Sequence, residues 1–338
     1  HENQLTPGLV MGQRPSPSDA VSQQRLWDRH RAMALHGATP RGGVNRQALS
    51  AEDIEARRTL IDWARDIGCS AFGDELGNFF IRMEGRQPEL PPVLTGSHLD
   101  SQPTGGKFDG VYGVLAGFEV LQAIRDSGLA PLRSIEVVSW MNEEGSRFAP
   151  GMMGSAGFAG AREVSEILAV QDAERQSVGE CLSALGRALP GLALRPLGRP
   201  IHSYVEAHIE QGPVLEAHGL PIGIVTGIQG KRTFRVTVTG EESHAGTTPH
   251  RKRRDALLAA TGMVQALERL CFDPQDITRF TVGMMRVEPN APSVIPAKVV
   301  FSIDIRHESS DRLIALGDGV RPLCEAHAGP CGVKVEEL

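Results

Sequence analysis

Apolar residues recur with helical spacing in the early part of the chain and then with strand spacing. Helical spacing covers 24–35 and 51–67, and a strand is predicted over 91–98. A helix with one apolar face follows over 109–125, and a second strand over 134–140. Because strand, helix and strand follow one another, we expect an α/β fold with a mixed, mainly parallel sheet covered by helices. Ligands of such a sheet bind at the carboxyl ends of its strands.

The hydrophobic pattern changes in the last third of the chain. Alternating apolar residues predict strands over 223–226, 232–238 and 298–304. Between the last two strands, helical spacing covers about 255–270. This β-α-β order indicates a second, smaller α+β domain.

These patterns divide the chain into three predicted parts. Residues 1–24 are rich in Pro, Ser, Gln and Gly, which is typical of a flexible arm. Residues 25–212 form the predicted α/β domain, and 213–338 the smaller α+β domain.

The composition is typical of a soluble globular protein, with 41% hydrophobic and 22% charged residues among 338. A net charge of −6 argues against nucleic acid as a partner. No apolar run reaches the ~18 residues needed to cross a bilayer, so we expect no membrane partner either. Five scattered cysteines, an odd number, favour reduced thiols and a cytoplasmic location.

Residues that could ligate a metal stand at the ends of two predicted strands. The first strand ends in His98, and Asp109 follows eleven residues later. The second strand ends in Glu143 and Glu144. Since successive side chains of a strand point opposite ways, one of these acids can hold a metal while the other stays free as a base.

His208 follows a short alternating segment and adds a second imidazole to this set. Each of these residues alone has a simpler explanation, such as a hydrogen-bonded loop histidine or a solvated strand end. Two imidazoles and two carboxylates together suit zinc, manganese or cobalt. Asp100, two residues after His98, is placed to accept the second imidazole N–H and to fix the tautomer.

Seven segments, spread over about 26–338, follow the order of motifs in one known family. They lie at 37–46, 95–101, 104–117, 142–148, 206–213, 240–249 and 304–307. On these segments the chain resembles the hydantoinase/carbamoylase family of dinuclear metal amidohydrolases, relatives of the zinc aminoacylases and exopeptidases. The resemblance implies a zinc-exopeptidase-like catalytic domain at 25–212 and a lid and dimerisation domain at 213–338.

The resemblance also implies two divalent metal ions per subunit (Zn, Mn or Co). His98 and His208 would ligate one ion, Asp109 would bridge both, and Glu144 would ligate the second. Glu143 would be the general base that deprotonates the metal-bridging water.

Further residues are implied to contact the substrate. Gln211 and His244 would hydrogen-bond it, with His244 stabilising the oxyanion. Arg306 would bind the substrate carboxylate through two N–H groups. The family usually has Asn-Val-Ile-Pro where this chain has Ser293-Val-Ile-Pro, and Asn290, three residues earlier, is the available replacement.

A second departure concerns the end of the chain. The family fold returns to the first domain after the lid, and that return supplies a last histidine ligand to the second metal. The sequence runs to Leu338 within the lid, so the return is absent from the predicted catalytic domain. The expected explanations are a chain that was cut, a segment missing from the sequence, or a defective homologue.

The implied activity is hydrolysis of the linear amide C–N bond of a ureido or carbamoyl group on a carboxylate-bearing small molecule. An N-carbamoyl-L-amino acid is the preferred substrate, with allantoate, ureidoglycolate and N-carbamoyl-β-alanine left open. The expected protein partner is a second copy, bound through the lid domain. One alternative is a dipeptidase or acyl-amino-acid hydrolase of the same clan, disfavoured by His208 and Gln211. The other is a non-catalytic dimeric homologue, favoured by the missing ligand.

Overall fold

The computed structural model describes residues 16–338, so the first fifteen residues of the predicted arm lie outside the described part. The chain divides into two compact units, unit 1 and unit 2, with the division between Gly219 and Leu220. Over residues 16–338, none of the helices combines the length and hydropathy that a bilayer crossing requires.

Unit 1 contains a mixed sheet and several helices. Its helices are α1 (Gln23–Met33), α2 (Ala51–Asp66), α3 (Val111–Asp126), α4 (Met153–Phe158), α5 (Val164–Ala169), α6 (Val178–Ala188) and α7 (Val214–Ala217). Its strands are β1 (Ser70–Gly73), β2 (Phe79–Met83), β3 (Val93–His98), β4 (Ile135–Trp140), β5 (Ala193–Leu194) and β6 (Ser203–Val205). A 3-10 turn, Pro17–Ala20, precedes α1, and the Ser22 N–H donates to Glu119 of α3 at 2.8 Å.

The sheet of unit 1 has the strand order β5-β1-β2-β4-β3-β6. β3 is parallel to both β4 and β6, and β1 is parallel to β5, whereas β2 is antiparallel to its two neighbours. The prediction of a mixed, mainly parallel sheet covered by helices is therefore confirmed. Because β3 and β4 run side by side in one direction, His98 and Trp140 lie opposite each other at the same edge. The residues that follow each of the two strands therefore start from this edge of the sheet.

The helix α3 joins β3 to β4 and covers the sheet with its apolar face. Val114, Leu115, Phe118 and Leu121 recur at helical spacing and are almost completely buried. They pack in one cluster with residues of β2, β4 and α2. This packing holds the start of α3, which directly follows Asp109, against the end of β3.

Unit 2 is built on an antiparallel sheet. Its elements are β7 (Gly230–Thr239), β8 (Ser243–His244), α8 (Ala256–Cys271), β9 (Arg279–Thr281), β10 (Met285–Glu288), β11 (Val294–Ile295), β12 (Lys298–His307), α9 (Ser310–Ala326) and β13 (Gly332–Glu337). β7 and β12 pair along their whole length, while β8 and β11 form a separate small sheet. Alternate residues of β7 and β12, including Val236 and Phe301, form one core with α8 and α9. The predicted α+β character is confirmed.

The prediction of a strand over 223–226 is wrong. These residues have no strand partner, and the side chains of Ile224 and Val225 are 89% and 85% exposed. The alternation of apolar and polar residues shows only that one face of a segment is apolar. A strand also needs a neighbouring strand for its backbone N–H and C=O groups, and within the described residues this segment has none.

Candidate metal centre

His98, the last residue of β3, is buried and presents one defined ring nitrogen. Its Nδ1–H donates to the backbone carbonyl of Asp100 at 2.9 Å. A carbonyl oxygen can only accept, so this bond places the proton on Nδ1 and leaves Nε2 with a free lone pair. The sequence predicted that the carboxylate of Asp100 would play this part. That carboxylate lies farther away, at 3.7 Å from Nδ1.

The carboxylate of Asp100 instead connects β3 to the acidic pair after β4. Its Oδ1 accepts the backbone N–H of Glu143 at 3.2 Å, and its Oδ2 accepts that of Glu144 at 3.1 Å. Burial raises the pKa of Asp100 to about 6, and the neighbouring His98 opposes this rise. Asp100 therefore positions the backbone from which both glutamates project.

Three predicted ligands come together in unit 1. One ligand atom from each of His98, Asp109 and His208 lies within 4.8 Å of the others. His208 Nε2 is 3.4 Å from Asp109 Oδ1, and the Nδ1–H of His208 donates to the carbonyl of Ile209 at 2.8 Å. Both imidazoles thus keep Nε2 free, and each ring contributes a ligand atom to a cluster that includes one carboxylate. This donor set fits zinc or another divalent transition metal.

Gly110 makes the close approach of Asp109 to His98 feasible. It has φ +65° and caps the N-terminus of α3. A Cβ atom at this position would lie 2.3 Å from His98 Nε2. Gly110 was not among the residues predicted for the site, although a glycine directly after a candidate ligand was an available signal.

The two adjacent glutamates have different surroundings. Glu143 Oε2 lies 3.4 Å from His98 Nε2. Burial raises the pKa of Glu143, the interaction with His98 opposes this rise, and the charge of Glu144 adds to it. Glu144 lies outside the group of three clustered ligands, and its Oε2 accepts a hydrogen bond from Gln102 Nε2 at 2.9 Å. Gln102 was not predicted as a site residue, because nothing in the local sequence pattern marks it.

Gln211, predicted to bind substrate, contacts a predicted metal ligand. Its Nε2 donates to Asp109 Oδ2 at 2.7 Å, while Asp109 Oδ1 faces His208. The backbone of Gln211 has φ +52°, which is uncommon for a residue other than glycine. Gln211 thus orients the carboxylate of Asp109.

The remaining predicted residues belong to unit 2. His244 Nδ1 accepts the backbone N–H groups of Gly246 and Thr247 at 3.0 and 3.2 Å, so its proton is on Nε2. The strand of His244, β8, pairs with β11, which begins directly after Ser293. Asn290 lies three residues before Ser293, at φ +56°.

Arg306 lies near the end of β12 with half of its side chain exposed. Its guanidinium binds Asp304 through two bonds, Nε to Oδ1 at 2.9 Å and Nη2 to Oδ2 at 3.2 Å. This fork geometry is the one with which arginine binds carboxylates.

Comparisons with known proteins agree on one family. The model of peptidase family M20/M25/M40 matches residues 94–310. An N-carbamoyl-L-amino-acid amidohydrolase of Rhizobium meliloti is 41% identical over 315 residues, which are 93% of this chain and 74% of that protein. An allantoate amidohydrolase of Escherichia coli (strain K12) is 35% identical, over 87% of this chain and 72% of that protein.

A solved structure supports the same assignment. A hydantoinase/carbamoylase family amidase from Burkholderia ambifaria superposes with a TM-score of 0.87 and is 43% identical. The match covers 94% of this chain and 78% of that chain. The chain therefore belongs to peptidase family M20/M25/M40 and, within it, to the hydantoinase/carbamoylase family of metal-dependent amidohydrolases.

Proposed function

We propose that this protein hydrolyses the linear amide C–N bond of a ureido or carbamoyl group on a carboxylate-bearing small molecule. An N-carbamoyl-L-amino acid is the preferred substrate. The observation that carries this proposal is the cluster of His98, Asp109 and His208 within 4.8 Å, with Glu143 beside it. The similarity to amidohydrolases that are named for N-carbamoyl-L-amino acids and for allantoate supports the substrate class.

The proposed cofactor is a pair of divalent ions per subunit, of zinc, manganese or cobalt. His98 and His208 would hold one ion, Asp109 would bridge both, and Glu144 would hold the second. The clustering of the two imidazoles with the carboxylate of Asp109 supports the first site. When bound, such ions supply Lewis-acid polarisation of the carbonyl and lower the pKa of water.

Glu143 is the proposed general base. Its Oε2 takes a proton from the attacking water and later gives it to the leaving nitrogen. The raised pKa of Glu143 supports this role, because a base whose pKa lies nearer the working pH can also return the proton. The products are the amine and a carbamate, which decays to carbon dioxide and ammonia.

Residues of unit 2 are proposed to bind the substrate. The Nε2–H of His244 is a donor, as stabilisation of an oxyanion requires. Arg306 would exchange Asp304 for the substrate carboxylate, with the same two-bond geometry. Ser293 and Asn290 are proposed to contact the substrate near His244, and Gln211 to hydrogen-bond it beside Asp109.

We also propose a homodimer through unit 2 and a cytoplasmic location. The outer strand β13 lies at an edge of the main sheet in the described part of unit 2, where a second copy could extend the pairing. All five cysteines are free thiols, as is usual in a reducing compartment. Light scattering on the purified protein tests the dimer.

A substrate panel tests the activity. The protein, supplied with zinc, manganese or cobalt, is assayed on N-carbamoyl-L-amino acids, allantoate, N-acetyl-L-amino acids and dipeptides. We expect ammonia release from the ureido substrates. Cleavage of dipeptides alone would contradict the substrate class, and metal binding without any turnover would indicate a non-catalytic homologue.

Glu143→Gln is the matched variant for this panel. It keeps the shape of the side chain but removes the base, so metal content should match the wild type while kcat falls by roughly 10²–10⁴-fold. Metal content is measured by elemental analysis. A wild-type rate in this variant would exclude Glu143 as the base.

A further inference from the structure

Four side chains that are not metal ligands form a chain of hydrogen bonds beside the metal centre. Ser97 Oγ donates to Glu206 Oε1 at 2.5 Å, and the Tyr204 hydroxyl donates to Glu206 Oε2 at 2.5 Å. The indole Nε1–H of Trp140 donates to the Tyr204 oxygen at 3.0 Å. We call Trp140, Tyr204, Glu206 and Ser97 the strand-end network.

This network begins where the backbone pairing of β3 and β6 stops. The last paired residues of the two strands are Thr95 and Val205, each three residues before the proposed ligands His98 and His208. Beyond Val205 the chain is no longer a strand. The backbone ladder therefore does not align the two histidines. Beyond it their segments are connected by side-chain contacts, a long one of 3.4 Å from the Tyr204 hydroxyl to the Gly96 carbonyl and the Ser97–Glu206 bond of 2.5 Å.

The network also reaches the strand that leads to the general base. Trp140, the last residue of β4, lies opposite His98 in the sheet and three residues before Glu143. Through Tyr204 its indole is connected to Glu206. The three strand ends that carry His98, His208 and Glu143 thus share one set of side-chain bonds.

The carboxylate of Glu206 is the centre of the network. Distances of 2.5 Å between hydroxyl and carboxylate oxygens are those of strong, charge-assisted hydrogen bonds. Ser97 is completely buried, so loss of its acceptor leaves a buried hydroxyl whose geometry is no longer defined. Glu206 itself is exposed, so the unit's hydrophobic core does not depend on it.

We propose that Glu206 is a positioning residue that sets the separation and orientation of the His98 and His208 rings, and thereby the affinity for metal. The proposal deepens the proposed function and rests on its metal centre. Glu206 contacts neither the ligand atoms nor the reacting atoms, and acts only through Ser97 and Tyr204. Groups that orient metal ligands typically change metal affinity by 10- to 100-fold when they are removed.

The test is metal binding by the apoprotein, with Co²⁺ as the probe. Wild type and Glu206→Ala are stripped with a chelator and titrated with Co²⁺, and the visible spectrum reports both the Kd and the ligand geometry. We expect the Kd of Glu206→Ala to rise by about 10- to 100-fold, with an altered spectrum. The melting temperature of the apoprotein should stay close to the wild-type value.

Two further variants distinguish the positioning role of Glu206 from the effect of its negative charge. Glu206→Gln retains an oxygen that accepts from Ser97, so it should recover most of the lost affinity. Glu210→Ala removes an equal charge from the same segment, but within residues 16–338 Glu210 bonds only to the N–H groups of Val214 and Leu215. It should bind Co²⁺ as the wild type does.

Equal affinity and equal spectra in wild type and Glu206→Ala would overturn the positioning role and leave the proposed function intact. An equal loss in Glu206→Ala and Glu210→Ala would also overturn it, because charge alone would then explain the effect. If Glu206→Ala does not fold, Glu206→Gln and Tyr204→Phe replace it in the Co²⁺ titration. Wild-type Co²⁺ affinity in Tyr204→Phe, together with loss of Co²⁺ binding in Glu206→Gln, would overturn the shared network. Failure of the wild type to bind metal would overturn the proposed metal centre itself.

Discussion

The tautomers of three histidines separate two kinds of role among the predicted site residues. His98 and His208 both donate Nδ1–H to a backbone carbonyl and keep Nε2 free to bind a cation. His244 has the opposite arrangement, with Nδ1 as the acceptor and the proton on Nε2. The first pair suits metal ligation, and the third suits donation to an oxyanion. Each tautomer is set by neighbouring backbone groups.

The residues that orient the site were harder to predict than the predicted ligands themselves. His98 and the Glu143–Glu144 pair stand at strand ends, where the local pattern draws attention to them. Gln102 and Glu206 act on residues that are distant in sequence: Gln102 on Glu144, and Glu206 on Ser97, which is 109 positions away. No local spacing encodes such a pairing, because it depends on how the strands come together.

Asp74 provides a pH-dependent test at the residue scale. Its buried carboxylate accepts hydrogen bonds from the backbone N–H groups of Leu76 and Asn78 and from the Asn78 amide. Burial nevertheless raises its pKa from 3.8 to about 6. The folded state therefore binds this proton more tightly than the unfolded chain does. Between about pH 4 and pH 6 the free energy of unfolding falls as pH rises, and the loss is complete above pH 6.

We predict that Asp74→Asn removes this pH dependence. The free energy of unfolding of the variant, minus that of the wild type, should rise by about 3 kcal/mol between pH 4 and pH 7. Urea unfolding followed by tryptophan fluorescence measures it, since Trp27, Trp63 and Trp140 all lie in unit 1. A difference that stays constant with pH would contradict the assigned pKa.

Long elements with a clear period were predicted, whereas several short strands were missed. The helix predicted over 109–125 is α3, and the strand predicted over 298–304 is the first part of β12. The hairpin of β1 and β2 was missed. All five residues of β2 are buried, so its pattern lacks the alternation by which a strand is identified.

The contact between β3 and β4 yields a prediction at the scale of elements. Gly96 in β3 has φ +142°, and a Cβ atom there would lie 2.0 Å from the carbonyl oxygen of Val138 in β4. Gly96→Ala should therefore lower the free energy of unfolding by about 2–4 kcal/mol. Metal affinity should fall too, because His98 is two residues away on the same strand.

Gly186→Ala is the control for this substitution. Gly186 lies in α6 with no atom within 4 Å of the added Cβ. Alanine there should leave stability unchanged or increase it by up to about 1 kcal/mol. Urea unfolding compares the two variants, and equal stability of Gly96→Ala and wild type would contradict the steric assignment.

At the scale of the whole molecule, each unit has its own hydrophobic core. Phe118 and its neighbours form a core in unit 1, and Val236 and Phe301 belong to a core in unit 2. The metal-ligand cluster draws all its residues from unit 1. Bound metal should consequently stabilise unit 1.

We predict that a chelator lowers the stability of unit 1 selectively. At a free metal concentration 100-fold above Kd, binding stabilises the folded state by about 2.7 kcal/mol, which chelation removes. Tryptophan fluorescence reports the unfolding of unit 1, and hydrogen exchange of β7 and β12 amides reports unit 2. Equal destabilisation of both units, or of neither, would contradict a metal site confined to unit 1.

The sequence by itself determined the fold class, the order of the long elements and the family, because periodic burial and ordered motifs are local properties of the chain. It also indicated which residue types could bind metal. Tertiary structure decided which atoms meet: that the carbonyl of Asp100 orients His98 while its carboxylate holds the glutamate pair, and that Glu206 connects the strand ends. It also left 223–226 without a strand partner. The physical reason is that hydrogen bonds between distant segments form only in the register that packing of the whole sheet selects.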